Sequence, residues 1–535
     1  MDIKILLTTM RSATLEISDG GIYETKALYD IYVNHEKKIT TNKVVTSLFG
    51  LKPDTNYTVE ICEADRETDG VITKPIIYSL QFHTEPEFVT LNVKAFGAKG
   101  DGIQDDTSYI QAAIMACPEQ GRVLVPRGIY KIHNLFLKSN LYLELEKDAE
   151  LLADQDRFAY PIMPGMIESY DEQSEYNLGT WEGNPLPMFA GILTGLNVEN
   201  VVLYGEGSIN GNATKENWWH DVRTMVGAFR PRMLFLSHCK NVAIQGLCFH
   251  DSPSWTLHPY FSENLKFYNL YINNPADSPN TDGLDPESCT HVDIAGVHFS
   301  LGDDCIAVKS GKIYMGKSYH TPSSDLHIHH CLMENGHGAV TIGSEMAGGV
   351  KDLVVENCIF RHTDRGLRIK TRRGRGKDAV IDGICFEHID MDHVMTPLVI
   401  NCFYFCDPDG HADYVQSRKW HQVDERTPEI KKLVFRDLTC HNCHVAAGYF
   451  EGLPEQKIEE IVLEHVEIDF AKEPKSGVPA MSEGVPESVK RGLYASNIKK
   501  LVLQDIQITG QNGKVTEVSG IDDLSGTVQE GEHNV

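Results

Sequence analysis

Three aspartates lie close enough along the chain to support acid–base chemistry. Asp303 and Asp304 are adjacent, and Asp282 precedes them in the same region. Repulsion between neighbouring carboxylates raises the pKa of one of them, which lets that group stay protonated and act as an acid near neutral pH. Without a catalytic role, 303–304 would be two solvated turn aspartates and Asp282 would form an Asx-type turn.

Carboxyl groups in such a set match what hydrolysis of a glycosidic bond with inversion requires. One protonated carboxyl serves the leaving oxygen, and a carboxylate roughly 6.5–9.5 Å away activates a water molecule across the sugar. Two aspartates on one coil of a stacked structure and a third on the neighbouring coil, about 4.8 Å away, could supply that spacing.

Basic residues are concentrated in one segment after these aspartates. The stretch from Arg365 to Lys377 holds seven basic residues and no acidic one. Arg368, Lys370 and Arg372 alternate with uncharged residues, so on a strand their side chains point to one surface. A solvated charge run is the usual explanation of such a segment, whereas this alternation favours a surface that binds carboxylates.

The overall charge limits the partners. The net charge is −27, with 76 acidic residues against 49 Lys and Arg, which argues against a nucleic-acid partner. No apolar run is long enough for a membrane span. The start resembles a strand rather than a signal peptide, so we expect a cytoplasmic protein, or a secreted one if a leader has been removed. Thirteen scattered cysteines suggest reduced thiols, and we expect no cofactor and no metal.

A strand-like cassette recurs through the second half of the chain. The pattern apolar-x-apolar-x-x-apolar-x-apolar begins at Val242, Leu265, Val292, Leu326, Leu353, Ile384, Leu433, Ile461 and Leu501. A fixed cassette with uneven spacing indicates a solenoid that keeps its strands and varies its loops, and a parallel β-helix explains it best. Leucine-rich repeats would also give a solenoid, but their Leu-Asn signature is missing and no helix recurs.

The phase of the repeat predicts which polar residues meet. Asp303 and His337 each lie eleven residues after a cassette start, and Asp282 and Lys370 each lie seventeen after theirs. If coils stack in register, these side chains converge on one face. His337 also lies between two glycines, which allows close approach. A lone histidine is more often structural, but its shared phase with Asp303 favours a functional role.

Residues 1–87 and 88–535 are predicted to form separate domains. The first part has short alternating segments and turn residues, which indicate a small β-sandwich. Its segment from Leu51 to Val59 resembles the strand E to F region of a fibronectin type III domain. A helix with Thr107 as its N-cap is predicted to run to about Cys117 and to cap the β-helix. The polar residues from about Gly510 are expected to form a loose tail.

Four motifs together resemble the signature of the polygalacturonases, family twenty-eight of the glycoside hydrolases. In chain order they are Asn280-Thr281-Asp282, Gly302-Asp303-Asp304, Gly336-His337-Gly338 and Arg368-Ile369-Lys370. The resemblance covers about residues 90–510. It implies an all-β chain with a right-handed parallel β-helix, inverting hydrolysis of α-1,4-galacturonic bonds, and an acidic pectic oligo- or polysaccharide as the partner.

The same resemblance implies a role for each site residue. Asp303 would be the general acid, Asp282 and Asp304 would position and deprotonate water, His337 would support the acid, Arg368 and Lys370 would hold a galacturonate carboxylate, and Asn280 and Tyr404 would contact substrate. Related rhamnogalacturonan hydrolases usually lack the third and fourth motifs, so a galacturonan backbone is favoured over rhamnogalacturonan. The same fold would also suit a calcium-dependent pectate lyase, or a β-helix that binds polysaccharide without catalysis.

One long connection bears on where the polymer would be cut. His337 follows Asp304 by 33 positions, more than is expected for endo-acting relatives. The added loop around Lys312 to Ser323, together with the fibronectin-like domain, is similar to bacterial exo-acting members. Loops that close one end of a groove would force attack at chain ends, so the sequence predicts exo action.

Overall fold

The computed structural model describes residues 1–64, 75–168, 175–220 and 222–531. Two small antiparallel sheets come first, and a long succession of parallel strands follows them. The prediction of an all-β chain, with a parallel β-helix behind a small sandwich, is confirmed. Within the described ranges, no helix is both long and apolar enough to cross a membrane.

The N-terminal sheets contain three strands (β1, β2, β5) and four strands (β4, β3, β6, β7). Their bounds are β1 (Asp2–Thr8), β2 (Ala13–Ser18), β3 (Glu24–Val33), β4 (Glu36–Lys43), β5 (Val45–Leu48), β6 (Asn56–Glu63) and β7 (Tyr78–His83). Leu15, Ile31 and Val59 share one buried core. The Tyr57 hydroxyl accepts a hydrogen bond from the backbone N–H of Lys52 at 2.7 Å, as in the tyrosine corner of such sandwiches. The domain boundary and the fibronectin type III class stay predictions.

The first coils of the β-helix consist of short strands, and one long loop region interrupts them. Their strands are β8 (Val89–Asn92), β9 (Asp101–Asp105), β10 (Gly121–Val125), β11 (Gly128–Ile132), β12 (Leu135–Phe136), β13 (Leu141–Leu145), β14 (Ala149–Ala153), β15 (Ile162–Met163), β16 (Met166–Glu168), β17 (Glu175–Asn177), β18 (Met188–Phe189), β19 (Leu193–Leu196), β20 (Glu199–Gly205) and β21 (Ser208–Asn210). Two 3-10 helices span Val93–Phe96 and Arg157–Ala159.

A helix covers the N-terminal end of these coils, as predicted. Helix α1 (Thr107–Ala116) buries Ile110 and Ile114 in the same core as the β-helix strands. The predicted N-cap was wrong by one residue, because Asp106 is the cap and Thr107 begins the helix. At this end of the helix, the backbone N–H of Thr107 donates to the Asp105 carboxylate at 3.0 Å.

The remaining coils carry the candidate site and end the chain. Their strands are β22 (Leu234–Ser237), β23 (Lys240–Gln245), β24 (Cys248–His250), β25 (Leu257–Tyr260), β26 (Glu263–Tyr268), β27 (Tyr271–Asn273), β28 (Thr290–Ala295), β29 (His298–Ser300), β30 (Asp304–Val308), β31 (Ser323–His329), β32 (Leu332–Glu334), β33 (Gly338–Gly343), β34 (Val350–Arg361), β35 (Arg365–Lys370), β36 (Val380–Asp392), β37 (Thr396–Asn401), β38 (Glu429–Ile430), β39 (Lys432–Cys443), β40 (Ala446–Glu451), β41 (Ile458–Phe470), β42 (Arg491–Thr509) and β43 (Asn512–Glu530). Two short helices, α2 (Ile313–Tyr319) and α3 (Asp413–Gln416), lie in connections.

The predicted cassette starts stack directly on one another. Each of the nine starts is the register partner of the next, from Val242 on Leu265 through to Ile461 on Leu501. Leu141 and Val201 continue the same column toward the N-terminus. These aliphatic residues are buried, so stacking forms one continuous apolar core.

A left-handed residue precedes the cassette start in coil after coil. Asn241, Asn264, His291 and Asp325 have φ between 53° and 54°. Asn is among the few residues that adopt this region readily, because its short polar side chain forms local hydrogen bonds. The Asn241 side chain donates to the Asn200 side chain at 3.0 Å and accepts from Asn264 at 2.6 Å. This ladder fixes the register of successive coils.

The expectation of a loose C-terminal tail was wrong. Strand β43 pairs in parallel with β42, and Leu524 continues the stacked column after Leu501. Most side chains of β43 are exposed, because it forms the last coil and covers β42 from one side only. Its polar composition therefore marks an outer edge rather than an unstructured segment.

Strand β2 of the sandwich docks directly on the β-helix. The Ser12 and Thr14 hydroxyls, just before and within β2, bond the buried Gln245 side chain at 2.7 and 2.6 Å. Val45 of β5 packs with Tyr268 in a shared apolar cluster. The two parts therefore meet through a buried interface. No disulfide joins any of the thirteen cysteines, all of which lie in the part of the chain that the structure describes.

Candidate active site

The acidic pair lies at the start of a strand in one face of the β-helix. Asp304 begins β30, and its register partner Gly338 begins β33. Asp303 and His337 therefore lie side by side just before these strands, as their shared phase predicted. The His337 backbone N–H donates to the Asp303 carbonyl oxygen at 3.0 Å, and its Nδ1 lies 3.4 Å from Asp303 Oδ1.

The shared offset of Asp282 and Lys370 does not correspond to a shared register position. Leu284 bridges to Ile306, which aligns Asp282 with Asp304 on the next coil. Lys370 is instead the partner of Gly343. The sequence offsets agreed only because the loop before Leu284 is longer than its counterpart in the next coil. Asp282 and Lys370 still meet in the site, since both lie next to Asp304.

Two cations hold Asp304. The Lys370 ammonium donates to its Oδ2 at 2.7 Å, and an Arg368 Nη donates to its Oδ1 at 3.2 Å. Burial acts to raise the pKa of Asp304, but the charges of Lys370 and Arg368 outweigh burial and hold this pKa well below its usual range. Asp304 is thus an anion at any ordinary pH.

Asp303 is the carboxylate of the three that is open to the groove. Its side chain is 22% exposed, whereas Asp282 and Asp304 are buried. His337, which is 53% exposed, lies beside it. The hydrogen bond with Asp303 raises the pKa of His337 in spite of partial burial, and the Asp304 charge adds to this. Asp303 can therefore reach a ligand while His337 holds it in position.

The raised carboxyl pKa in this group belongs to Asp282. Burial is the main cause, and the charges of Asp303 and Asp285 add to it. One oxygen from each of Asp282, Asp303 and Asp304 lies within 4.8 Å of the others. The three carboxyl groups are therefore close together, and the separation of roughly 6.5–9.5 Å between acid and base that inverting enzymes use stays a prediction.

The three carboxylates are also the groups in this region that could hold a cation. Calcium requires several oxygen ligands that are free to turn toward it. Asp304 already has two cationic partners, Lys370 and Arg368. A second cation would meet their repulsion, so the surroundings of Asp304 disfavour a metal at this position.

The other predicted binding residues have different surroundings. Asn280 lines the groove, and its side-chain oxygen accepts a hydrogen bond from Arg230 at 2.7 Å. Tyr404 is largely buried at the groove wall, with the Lys370 ammonium 5.6 Å from its ring centre. Arg372 points elsewhere, to the carboxylate of Asp409 at 2.6 and 2.7 Å.

Lys309 is a site residue that the sequence reasoning missed. Its buried ammonium lies 3.1 Å from Glu345, 3.5 Å from Asp285 and 3.9 Å from Asp282. It occurs seventeen positions after the cassette start at Val292, the same offset that drew attention to Lys370. Applying that offset to every coil would have found it.

A groove of about 1180 Å³ joins these residues. Its lining includes Asp282, Asp303, His337 and Arg368, together with the Trp181 side chain from the excursion between β17 and β18. The Trp181 ring stacks on Phe229 at 4.8 Å between centroids. Carboxylates, a basic pair and an aromatic wall therefore share one open cavity.

Comparison with known proteins decides the family. The profile of "Glycosyl hydrolases family 28" matches residues 160–479, which is more than half of the chain and includes all four motifs. The chain belongs to this family. A second profile, "Rhamnogalacturonase A/epimerase, pectate lyase-like", matches residues 90–144 in the first coils.

Several named proteins are similar to this family 28 chain in sequence or in structure. A "Probable polygalacturonase" of Vitis vinifera is 30% identical over 407 residues, which cover 73% of this chain and 77% of the relative. An "Exo-poly-alpha-D-galacturonosidase" of Dickeya chrysanthemi is 25% identical over 486 residues, 80% of this chain and 78% of the relative. The solved structure of a family 28 exopolygalacturonase from Yersinia enterocolitica matches with a TM-score of 0.67 at 18% identity, covers 98% of both chains and supports the fold.

Proposed function

We propose that this family 28 chain hydrolyses α-1,4-galacturonic bonds in oligo- or polygalacturonate. The observation that carries the proposal is the contact of Asp304 with Lys370 and Arg368 next to the open Asp303. In this proposal Asp304 acts as a permanent carboxylate, Asp303 supplies the proton, and the basic pair binds an acidic sugar within one groove. The family membership and the names of the relatives support it.

The arrangement suggests one path for the protons. Asp303 donates a proton to the glycosidic oxygen, and the leaving sugar departs with it. Asp304, kept anionic by its cations, accepts a proton from a water molecule held between it and Asp282. The hydroxide attacks the anomeric carbon from the opposite side. Exchange with solvent then returns Asp303 and Asp304 to their starting states.

The basic pair explains how a chain of net charge −27 could bind a polyanion. Arg368 and Lys370 place two cations in the groove, and both are buried, so solvent screens them little. Arg368 can form a bidentate contact with a carboxylate, and Lys370 adds a point charge.

Alanine at Arg368 or Lys370 should weaken capture of substrate with free carboxylates much more than capture of methyl-esterified substrate. A hydrogen bond between charged groups contributes about 1.5–3 kcal/mol, so kcat/KM on oligogalacturonate should fall at least about tenfold further than on its methyl ester. Paired kinetic assays on the two substrates measure this ratio. Lys351→Ala, which removes an exposed lysine on β34, is the control. Equal losses on both substrates would rule out the carboxylate-binding role.

We further infer exo action from a wall on one side of the groove. The Lys312 backbone N–H donates to the Gly183 carbonyl oxygen at 2.9 Å, and its ammonium lies 3.2 Å from Asp407. Gly183 has a φ of 72°, and a Cβ there would lie 2.8 Å from the Lys312 nitrogen and 2.9 Å from Glu345. Loops from three coils thus meet at Lys312, in the long connection predicted to close the groove.

A time course of products from polygalacturonate tests exo action. Monomer or dimer should be the only short product from the first minute, because a closed groove admits only a chain end. Lys312→Ala should add longer products by loosening the wall, whereas Lys317→Ala, on the exposed side of α2, should not. A ladder of oligomers from the wild-type chain at early times would contradict exo action.

The same digestion distinguishes the chemistry. Proton NMR of the first product should show the β-anomer, since inversion of an α-linkage requires it. The short spacing of the three carboxylates makes this readout informative, because a retained α-anomer would assign one of them as a nucleophile. Absorbance from a 4,5-unsaturated product would instead indicate a lyase.

A further inference from the structure

A cluster of titratable side chains lies away from the groove, where the sandwich meets the β-helix. Glu16 on β2 faces His329, the last residue of β31, and His330, which follows it. The Glu16 side chain is only 6% exposed, and both histidines are also buried. Nothing in the proposed hydrolysis uses these residues.

The outer nitrogens of the two histidines are held by contacts within the protein. His329 Nε2 lies 3.1 Å from Oδ1 of Asp293. His330 Nδ1 lies 2.5 Å from the Ile22 carbonyl oxygen, which can only accept a hydrogen bond. The other nitrogen of each ring is left to face the interior of the cluster.

The inner nitrogens of both rings face a carboxylate. His329 Nδ1 lies 3.6 Å from Glu16 Oε2, and His330 Nε2 lies 3.9 Å from Glu16 Oε1. One ligand atom from each of the three residues falls within 4.8 Å of the others. Glu16 Oε2 is buried and accepts no hydrogen bond from any residue that the structure describes. A buried carboxylate oxygen without a hydrogen-bond partner, facing two histidine nitrogens, is a set of ligand atoms that a divalent cation could occupy.

The spacing matches a particular cation. Zinc binds histidine nitrogen and carboxylate oxygen at about 2.0–2.2 Å in a tetrahedral arrangement, which separates two ligand atoms by about 3.4 Å. The observed 3.6 and 3.9 Å are a few tenths longer. The hydrogen bonds to Asp293 and the Ile22 carbonyl are the outer contacts that orient metal-binding histidines.

We propose that Glu16, His329 and His330 form a zinc site that joins the sandwich to the β-helix. Water would complete the four ligands. Glu16 Oε1 now lies 2.9 Å from the Lys4 ammonium and accepts a hydrogen bond from the Ser18 hydroxyl at 3.3 Å. The Lys4 side chain is 56% exposed, so it can turn into solvent when zinc enters. Because one ligand comes from β2 and two from the end of β31, binding would link the two parts of the chain.

Zinc titration of the full-length chain, stripped of metal with a chelator, tests the site. One equivalent should bind by calorimetry, and zinc should slow hydrogen exchange in β2 and β31. Glu16→Gln and, separately, His330→Gln should each weaken binding more than about 100-fold, beyond the effect of losing an outer contact. His291→Gln, which alters an exposed histidine on β28, should bind zinc like the wild type.

The outcome that overturns the proposal is zinc binding that neither variant weakens, or no stoichiometric binding at all. Binding that survives both variants but is lost in Asp303→Asn would assign zinc to the aspartates of the groove instead. Circular dichroism of each variant shows whether the fold is retained, and the two separate ligand changes guard against one variant that fails to fold.

Discussion

Asp303→Asn is expected to lower kcat on polygalacturonate by about 10²–10⁴-fold, the range for loss of a general acid. The amide has the same shape as the carboxyl but cannot donate an acidic proton to the leaving oxygen. His337 beside it remains, but its Nδ1 lies on the Asp303 side and cannot replace the lost acid. Release of reducing sugar at saturating substrate measures this loss.

Binding and a second amide distinguish lost chemistry from lost structure. Calorimetry with trigalacturonate should give nearly the same affinity for Asp303→Asn as for the wild type. Asp364→Asn, a similar change at another residue of the groove lining, should lower kcat by less than the ~10²-fold minimum expected for loss of the acid. If Asp303→Asn retains a near-normal rate, the acid assignment is wrong and a binding protein without catalysis becomes the better explanation.

Lys309→Met is expected to cost the fold about 3–5 kcal/mol at pH 8, the range for breaking a buried ion pair. Its ammonium lies among Asp285, Glu345 and Asp282, and methionine would remove a buried cation that all three carboxylates share. Urea unfolding gives the free energy of unfolding for both proteins. Lys351→Met, an exposed lysine, should change it by less than about 0.5 kcal/mol.

The cost of Lys309→Met should shrink at pH 5. Burial raises the pKa of Asp285 to about 7 and that of Glu287 to about 8, above their unfolded values. Both groups therefore hold protons in the folded chain at pH 5, and their stabilising effect is lost as pH rises through 7 to 8. At pH 5, fewer negative charges around Lys309 therefore need its ammonium as a counter-charge. An equal or larger cost at pH 5 would contradict this account of the network.

The repeat phase was sufficient to place one pair of candidate site residues side by side without any structure. Asp303 and His337 share an offset from their cassette starts, and the loops that precede them are of equal length, so the register confirmed their contact. The offset failed for Asp282. Leu284 follows Asn273 by 11 positions, whereas its partner Ile306 follows the corresponding Ser300 by only 6. Strand patterns fix the order of coils, but loop length decides which residues align.

Contacts made by long loops could not be predicted from the sequence. Trp181 and Asp407 lie far from Lys312 along the chain and carry no pattern that indicates their contact with the groove. The ionisation of the buried carboxyl groups could not be predicted from the sequence either. Adjacent carboxylates suggested a raised pKa at Asp303–Asp304, yet the buried cations Lys370 and Arg368 lower the pKa of Asp304. Periodicity predicts strands, whereas the ionisation of buried groups depends on their three-dimensional neighbours.

The uneven lengths between coils have a consequence for how such chains diverge. The strands that carry Asp304 and Lys370, and the strand that directly follows His337, keep their hydrogen-bonded ladder whatever the connections between them contain. An insertion in a connection can therefore reshape the groove without displacing a reacting atom. Gene lineages with one ancestral chemistry can in this way acquire different product sizes through insertions and deletions alone. Protein engineers can use the same freedom by exchanging connections between relatives while leaving the ladder intact.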